Sequence, residues 1–285
     1  MENMREFDLS KFLRVSRRLD LDGIDFDAVP RNRLSREEVR CLTYMMDIET
    51  HTVIYLRDLL TTPAAYDPEV TAFLSLWVYE EFWHGEALGR FLQAAGERFA
   101  PDRPGVIRKA AGGRDFLGTL GKMAAARVLK DFVAVHMTWG AMNELSTLNG
   151  YQRVIAKTSH PILVSLLGRI IKDERRHYAF YYNQARMRLD DNPRAQRLVR
   201  WALNRLWTPV GTGVRPQEET DFIVLYLFGD EAGVAAVHEM ESELSKLPGL
   251  NGMRLMGRAM ARAAKRADSA GTTSSTGFPV AASLF

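Results

Sequence analysis

The amino-acid sequence predicts an all-α protein built on a bundle of long helices. Four segments, each longer than about 25 residues or roughly 37 Å at 1.5 Å per residue, carry apolar side chains at helical spacing. None of the four shows the sustained two-residue alternation of a strand. Composition agrees: 46% hydrophobic and 26% charged residues over 285 positions describe a globular chain with ample material for a core.

The elements follow in order. Residues 1–34 mix charges with Leu, Phe and Val and hold turn signals at Asp22-Gly23 and Pro30, so they read as an N-terminal arm with at most a short helix. Ser35 with Glu38 three residues later forms a capping box, opening a first long helix that runs to about Leu60. Thr61-Thr62-Pro63 and Asp67-Pro68 bracket a connection. A second long helix spans about Glu69 to Ala95 and stops at Gly96. Residues 97–113, with three glycines and two prolines, read as loop or broken helix. The third spans about Phe116 to Ile155. Pro161 sits where a first-turn proline belongs, and the fourth helix runs from it to Leu189. Shorter helices are expected over 194–207, 216–229, 231–246 and 251–266. The organisation expected is therefore an arm (1–34), a four-helix bundle (35–189), additional helices packed on it (190–267) and a flexible tail (268–285).

Several classes drop out early. A single cysteine, Cys41, allows neither an intramolecular disulfide nor a thiolate metal cluster, and makes a reducing cytoplasm the default location. The charged start lacks the apolar core of a signal peptide. No uncharged apolar run approaches the length of a membrane span, so none is expected. A net charge of +3 is modest and no DNA-binding motif accompanies it, so nucleic acid is not an expected partner.

The chemistry lies in a repeated motif. The second helix contains Glu80-Glu81-Phe82-Trp83-His84 and the fourth Asp173-Glu174-Arg175-Arg176-His177. Both read acid-Glu-x-x-His, and residues three apart share a helix face, so Glu81 with His84 and Glu174 with His177 can each serve one metal centre. With 18 glutamates and 6 histidines, chance supplies about 0.4 Glu-x-x-His matches. A preceding acid cuts that to roughly 0.05, and two such motifs become about a one-in-a-thousand event. A two-metal carboxylate centre of the kind built in ferritin-like bundles also needs a carboxylate from each remaining helix. Glu49 and Glu144 are the candidates; Asp131 is the acidic competitor on the third helix. Glu49 precedes Glu81 by 32 residues and Glu144 precedes Glu174 by 30, which suggests a pseudo-symmetric pair of halves.

Four carboxylates and two imidazoles are hard-to-borderline donors that suit two iron ions, with manganese in one or both positions compatible; zinc fits less well. The acids preceding each Glu, Glu80 and Asp173, are expected to hold the histidine of the opposite half by its second N–H. His51 lies two residues from Glu49, on another face, and is not an expected ligand.

These residues resemble a family. Trp77-Val78-Tyr79-Glu80-Glu81-Phe82-Trp83-His84-Gly85 is similar to the W-x-x-E-E-x-x-H-G segment of soluble acyl-carrier-protein desaturases, and Asp173 to His177 to their D-E-x-R-H segment. Glu144-Leu145-Ser146-Thr147 resembles their E-x-x-T, and Glu49 falls six residues before Tyr55, as their first ligand does before a tyrosine. The resemblance covers roughly residues 36–210. It implies that Thr147 lies beside the oxygen-binding face and that Trp77 begins an electron path from the surface. It also implies acyl carrier protein as substrate carrier, a ferredoxin-type electron donor, dioxygen as oxidant and a homodimer. The first-helix segment departs from the plant-type pattern: it lacks a second acid and a proline after Glu49, and the second-helix motif holds bulky Trp83.

Three functions follow from this set. One is oxygen-dependent desaturation of a carrier-bound acyl chain, for which a sequence pI near 9.0 suits an acidic carrier. Stripes at Arg194, Arg197 and Arg200 and at Arg254, Arg258 and Arg262 are candidates for docking it, or are simply solvated faces. The second is hydroxylation or N-oxygenation of a specialised metabolite. The aryl N-oxygenases of this superfamily place a further histidine where this chain has Ile170, which disfavours N-oxygenation. A radical-generating subunit of ribonucleotide reductase ranks lower, since the sequence assigns no tyrosine to the radical. The third function is iron binding or ferroxidase activity.

Overall fold

A computed structural model describes residues 7–110 and 131–269. The chain is all-α, a ferritin-like helical bundle with flanking helices, and the described residues hold no β-strand beyond an isolated bridge between Thr212 and Arg215. Ten helices are used below: α1 (Leu9–Val15), α2 (Arg36–Glu49), α3 (Thr52–Leu60), α4 (Pro68–Ala94), α5 (Phe132–Lys157), α6 (Pro161–Leu189), α7 (Pro193–Leu206), α8 (Gln217–Phe228), α9 (Glu231–Leu244) and α10 (Leu255–Ser269). Within the stretch 97–113, read as loop or broken helix, residues 97–102 are not helical and 103–110 are; 111–113 lie outside the described residues. Of the expected third helix, 116–130 lies outside the described residues, as does the tail from 270 onward.

Helix α2 packs on α4, and α5 on α6, so the bundle is two helix pairs back to back. Its starts are written in the sequence. Ser35 and Glu38 complete the capping box reciprocally, at 3.1 and 2.7 Å. Asp67 caps α4 ahead of Pro68. His160 caps α6 by accepting from the Leu163 amide, and its Nε2 donates to the Val29 carbonyl, tying the N-terminal arm to the bundle. Helices α7 and α8 pack on the bundle, and α9 and α10 close over α8.

One element differs from expectation. The helix expected over 35–60 is two helices, broken at Thr50-His51. There the hydrogen-bond ladder shifts to three-residue spacing, with the His51 amide on the Ile48 carbonyl and Ile54 on His51. The Thr50 and Thr52 hydroxyls compete for the backbone by donating to the Asp47 and Glu49 carbonyls. The Thr50 carbonyl thereby released accepts from Arg108 at 2.5 Å. Apolar periodicity cannot register such a break, because the helical phase hardly changes across it.

Gly140 marks the closest approach in the second pair. A Cβ there would stand 2.3 Å from the ring of Tyr181, which is fully buried against Phe73, Trp77 and Phe180 and has no room to move. Gly140→Ala should therefore destabilise the fold by roughly 1–3 kcal/mol, as overpacked cores do, and urea unfolding measures it.

Candidate metal centre

Each of the four bundle helices delivers a carboxylate to one buried place: Glu49 from the last residue of α2, Glu81 from α4, Glu144 from α5 and Glu174 from α6. His84 and His177 join them, one turn after Glu81 and Glu174. The donor atoms form two overlapping sets, Glu49–Glu81–His84–Glu174 and Glu81–Glu144–Glu174–His177, each with its atoms within 4.8 Å of one another. Glu81 and Glu174 belong to both. The structure thus distinguishes two shared carboxylates, able to bridge, from two terminal ones, a division the sequence spacing does not contain. Asp131 is elsewhere, at the start of α5 beside Arg194 and Asn192, and His51 belongs to neither set.

The acids preceding each glutamate reach across the halves. His84 Nε2 donates to Asp173 at 3.2 Å and His177 Nε2 to Glu80 at 2.8 Å. With Nε2 so engaged, both Nδ1 atoms point inward. His84 Nδ1 stands 3.2 Å from Glu174, and His177 Nδ1 3.0 Å from Glu81. Arg176 joins the two outer acids, at 2.8 Å from Glu80 and 2.7 Å from Asp173. The terminal carboxylates have donors of their own: Trp77 Nε1 lies 3.0 Å from Glu144, and the Tyr151 hydroxyl donates to Glu49.

These residues fit metal ions. Six inward atoms, Glu49 Oε2, Glu81 Oε1, both oxygens of Glu174 and the two Nδ1 atoms, are buried without a partner in hydrogen-bonding geometry. Three buried carboxylates with unpartnered oxygens, and Glu144 beside them, are costly together unless cations fill the space between them. The donor set suits iron or manganese.

Protonation reports the same crowding. Burial, followed by the neighbouring carboxylates, pushes Glu81 and Glu144 well above the usual range, and burial likewise raises Glu49. Burial opposes charge on the imidazoles, but the facing carboxylates outweigh it, raising His84 well above its ordinary value and His177 to about 10. Burial would also raise Glu174; the two histidines overcome it and hold that carboxyl low. Without metal, then, these raised groups hold protons more tightly than they would in water, His177 above all, and metal must displace the protons they carry. Metal affinity should rise with pH, and binding at pH 7 should release protons. Calorimetry in buffers of different ionisation enthalpy measures the release; a pH-independent affinity without it would contradict this electrostatic picture.

Local structure holds the ligands. Gly85, the last residue of the second-helix motif, lets α2 close in: a Cβ there would lie 2.6 Å from Thr50 Cγ2 and 3.3 Å from Glu49 Cβ. Asp47, two residues before Glu49, is gripped by both arms of Arg103 at 2.7 and 2.8 Å. Phe12 and Phe73 stand edge-on to His177, with Phe7 and Phe180 packed behind them.

The two residues singled out beyond the ligands are placed differently. Trp77 is 4% exposed, so it does not itself reach the surface, and its indole N–H is spent on Glu144. Thr147 is half-buried on the wall of a pocket of about 70 Å³ that also touches Glu49 and Tyr151 and is otherwise lined largely by apolar groups such as Ile48, Ile223 and Leu227. The arginine stripes are partly consumed within the chain: Arg200 binds the Gly249 and Asn251 carbonyls, and Arg258 binds Asn204.

Sequence reasoning missed Tyr151, Arg176 and the Arg103–Asp47 clamp. Tyr151 follows Glu144 by two helical turns and so shares its face, which was a usable signal. Arg176 stands inside the quoted motif, but nothing local shows that it spans two helices. No helix among the described residues is long and apolar enough to cross a membrane. Comparisons of this chain with family models, with curated proteins and with solved structures found no match.

Proposed function

We propose that this chain is an oxygen-dependent di-iron oxidoreductase that desaturates an acyl chain presented on acyl carrier protein, with electrons from a ferredoxin-type donor. The observation that carries the oxidoreductase reading is the pair of buried Glu/His sets sharing Glu81 and Glu174. Bound iron would supply reductive activation of dioxygen and removal of hydrogen from carbon. Desaturation balances as one dioxygen, two electrons and two protons entering, and two hydrogens leaving adjacent carbons, to give two waters. The residues do the rest. Glu80 and Asp173 fix the tautomer and angle of each histidine. Tyr151 and Trp77 hold the terminal carboxylates, and the Phe7–Phe12–Phe73–Phe180 group keeps water from the His177 side. Substrate would approach through the apolar pocket beside Glu49, where the Thr147 hydroxyl can hold a proton.

A second reading, C-hydroxylation of a smaller metabolite, is favoured by the size of that pocket. About 70 Å³ accommodates roughly five to seven waters at ~10–15 Å³ each, well under the ~300 Å³ of an ordinary ligand site. The acyl reading therefore requires the pocket to widen, for instance by movement of α8, whose Ile223, Val224 and Leu227 line it. Ile170, fully buried on α6, offers no additional imidazole for N-oxygenation.

Iron-loaded protein supplied with defined acyl-carrier-protein thioesters, ferredoxin, its reductase and oxygen tests both. A product lighter by two hydrogens supports desaturation, and one heavier by an oxygen supports hydroxylation. Iron oxidation with neither product would replace both readings with ferroxidase activity.

A further inference from the structure

A second cavity, of about 720 Å³ and open to solvent, lies between the N-terminal arm and α6. Its volume is typical of small-molecule sites, ~300–1,000 Å³, but its walls are unlike the apolar pocket at Glu49. The arm contributes Arg14, Arg17 and Arg18, and one face of α6 contributes Arg169, Lys172 and Arg176 at helical spacing. Asp20 and Asp173 on the walls, and Glu80 behind Arg176, oppose these six cations, leaving a formal surplus of three positive charges (6 − 3). Asp173 is already engaged with His84 and Arg176. Asp20 sits 3.7 Å from Arg169. Arg14, Arg17 and Lys172 have no carboxylate partner among the described residues, and the Arg18 guanidinium lies 4.3 Å from the centre of the Trp83 ring. So much like charge around one concavity is self-repulsive unless an anion neutralises it.

We propose that this basin is a binding site for a small molecule bearing a diphosphate. The charge surplus selects the class: a single carboxylate would leave two of the three charges uncompensated and a phosphate monoester at least one, whereas a terminal diphosphate brings about three negative charges. Guanidinium forks pair with phosphoryl oxygens bidentately, and five of the six cations are arginines. A concavity of this size favours a small molecule over the flat acidic face of a protein. The inner wall is Arg176, whose other contacts are the acids that hold both ligand histidines, so a bound diphosphate would sit one side chain from the metal centre's supports. The proposal is independent of the redox reading, since it concerns occupancy without turnover.

The test uses the full chain with its metal, inorganic pyrophosphate as probe, and calorimetry alongside tryptophan fluorescence, with metal content measured on the recovered protein. We expect saturable binding of one pyrophosphate per chain, weakened by salt, with a fluorescence response that disappears in Trp83→Phe. Arg17→Glu combined with Lys172→Glu should weaken binding about 100-fold, since two charge-assisted contacts are lost. Arg17→Gln alone should give a smaller loss in the same direction. Metal content should be the same in all of these proteins. Absence of saturable binding overturns the proposal, as does undiminished binding by the double variant. Equal affinity for citrate would overturn the phosphoryl assignment. A signal that merely follows metal loss, equally in wild type and double variant, would overturn it too.

Discussion

Glu174→Ala should reduce bound iron from two ions per chain to none. Glu174 is fully buried and belongs to both donor sets, so its loss removes an oxygen from each metal position and the bridge between them. It is also the carboxyl most strongly held in its charged form by the two histidines, so the protein loses the acid best prepared to meet a cation. Glu49→Ala is the contrast: Glu49 belongs to one set only, and its removal should cost mainly the His84-side ion. Glu174→Gln keeps the volume without the charge and should behave like alanine in metal content while preserving packing. Glu241, a buried acid on α9 that accepts from the Gly257 amide, is the control whose alanine variant should load normally. Metal analysis after gel filtration reads all four. Normal loading of Glu174→Ala would place the metal elsewhere.

Stripping the metal should have the largest effect on stability. The metal-free centre confronts carboxyls and imidazoles whose protons are held by burial and by one another, and metal binding relieves that cost as folding energy. Two ions, each at about a hundred times its dissociation constant, contribute roughly 5 kcal/mol together. At about 2–4 °C per kcal/mol, that is a melting temperature lowered by roughly 10–20 °C after chelation. The gap should widen with pH. The raised groups stabilise the metal-free fold below their unfolded values and lose that contribution as pH climbs, through about 10 for His177. A melting temperature unchanged by chelation would deny the six residues a role in holding metal.

Much of this arrangement was legible in the sequence because both helix and ligand set are local patterns. Capping residues and prolines announce where α2, α4 and α6 begin, and the Glu-x-x-His spacing needs only the helical repeat to bring its two side chains onto one face. What was not legible is non-local. The partner that the carbonyl released at the break finds, Arg108, lies 58 residues beyond Thr50. Which two carboxylates the donor sets share depends on how α4 and α6 face each other, and the role of Arg176 on Glu80, 96 residues earlier. The basic basin joins an arm and a helix separated by about 150 residues, so neither half of it stood out beside the more regular arginine stripes at 194–200 and 254–262.

Anomalous diffraction from crystals of the iron-loaded protein, collected at the iron edge, tests the metal centre most directly. Two peaks should appear between α2, α4, α5 and α6, roughly 3.5–4 Å apart as in other two-metal sites, with Glu81 and Glu174 touching both, Glu49 and His84 touching one, and Glu144 and His177 the other. A single peak, no peak, or peaks away from these six side chains would contradict a di-iron centre in this bundle.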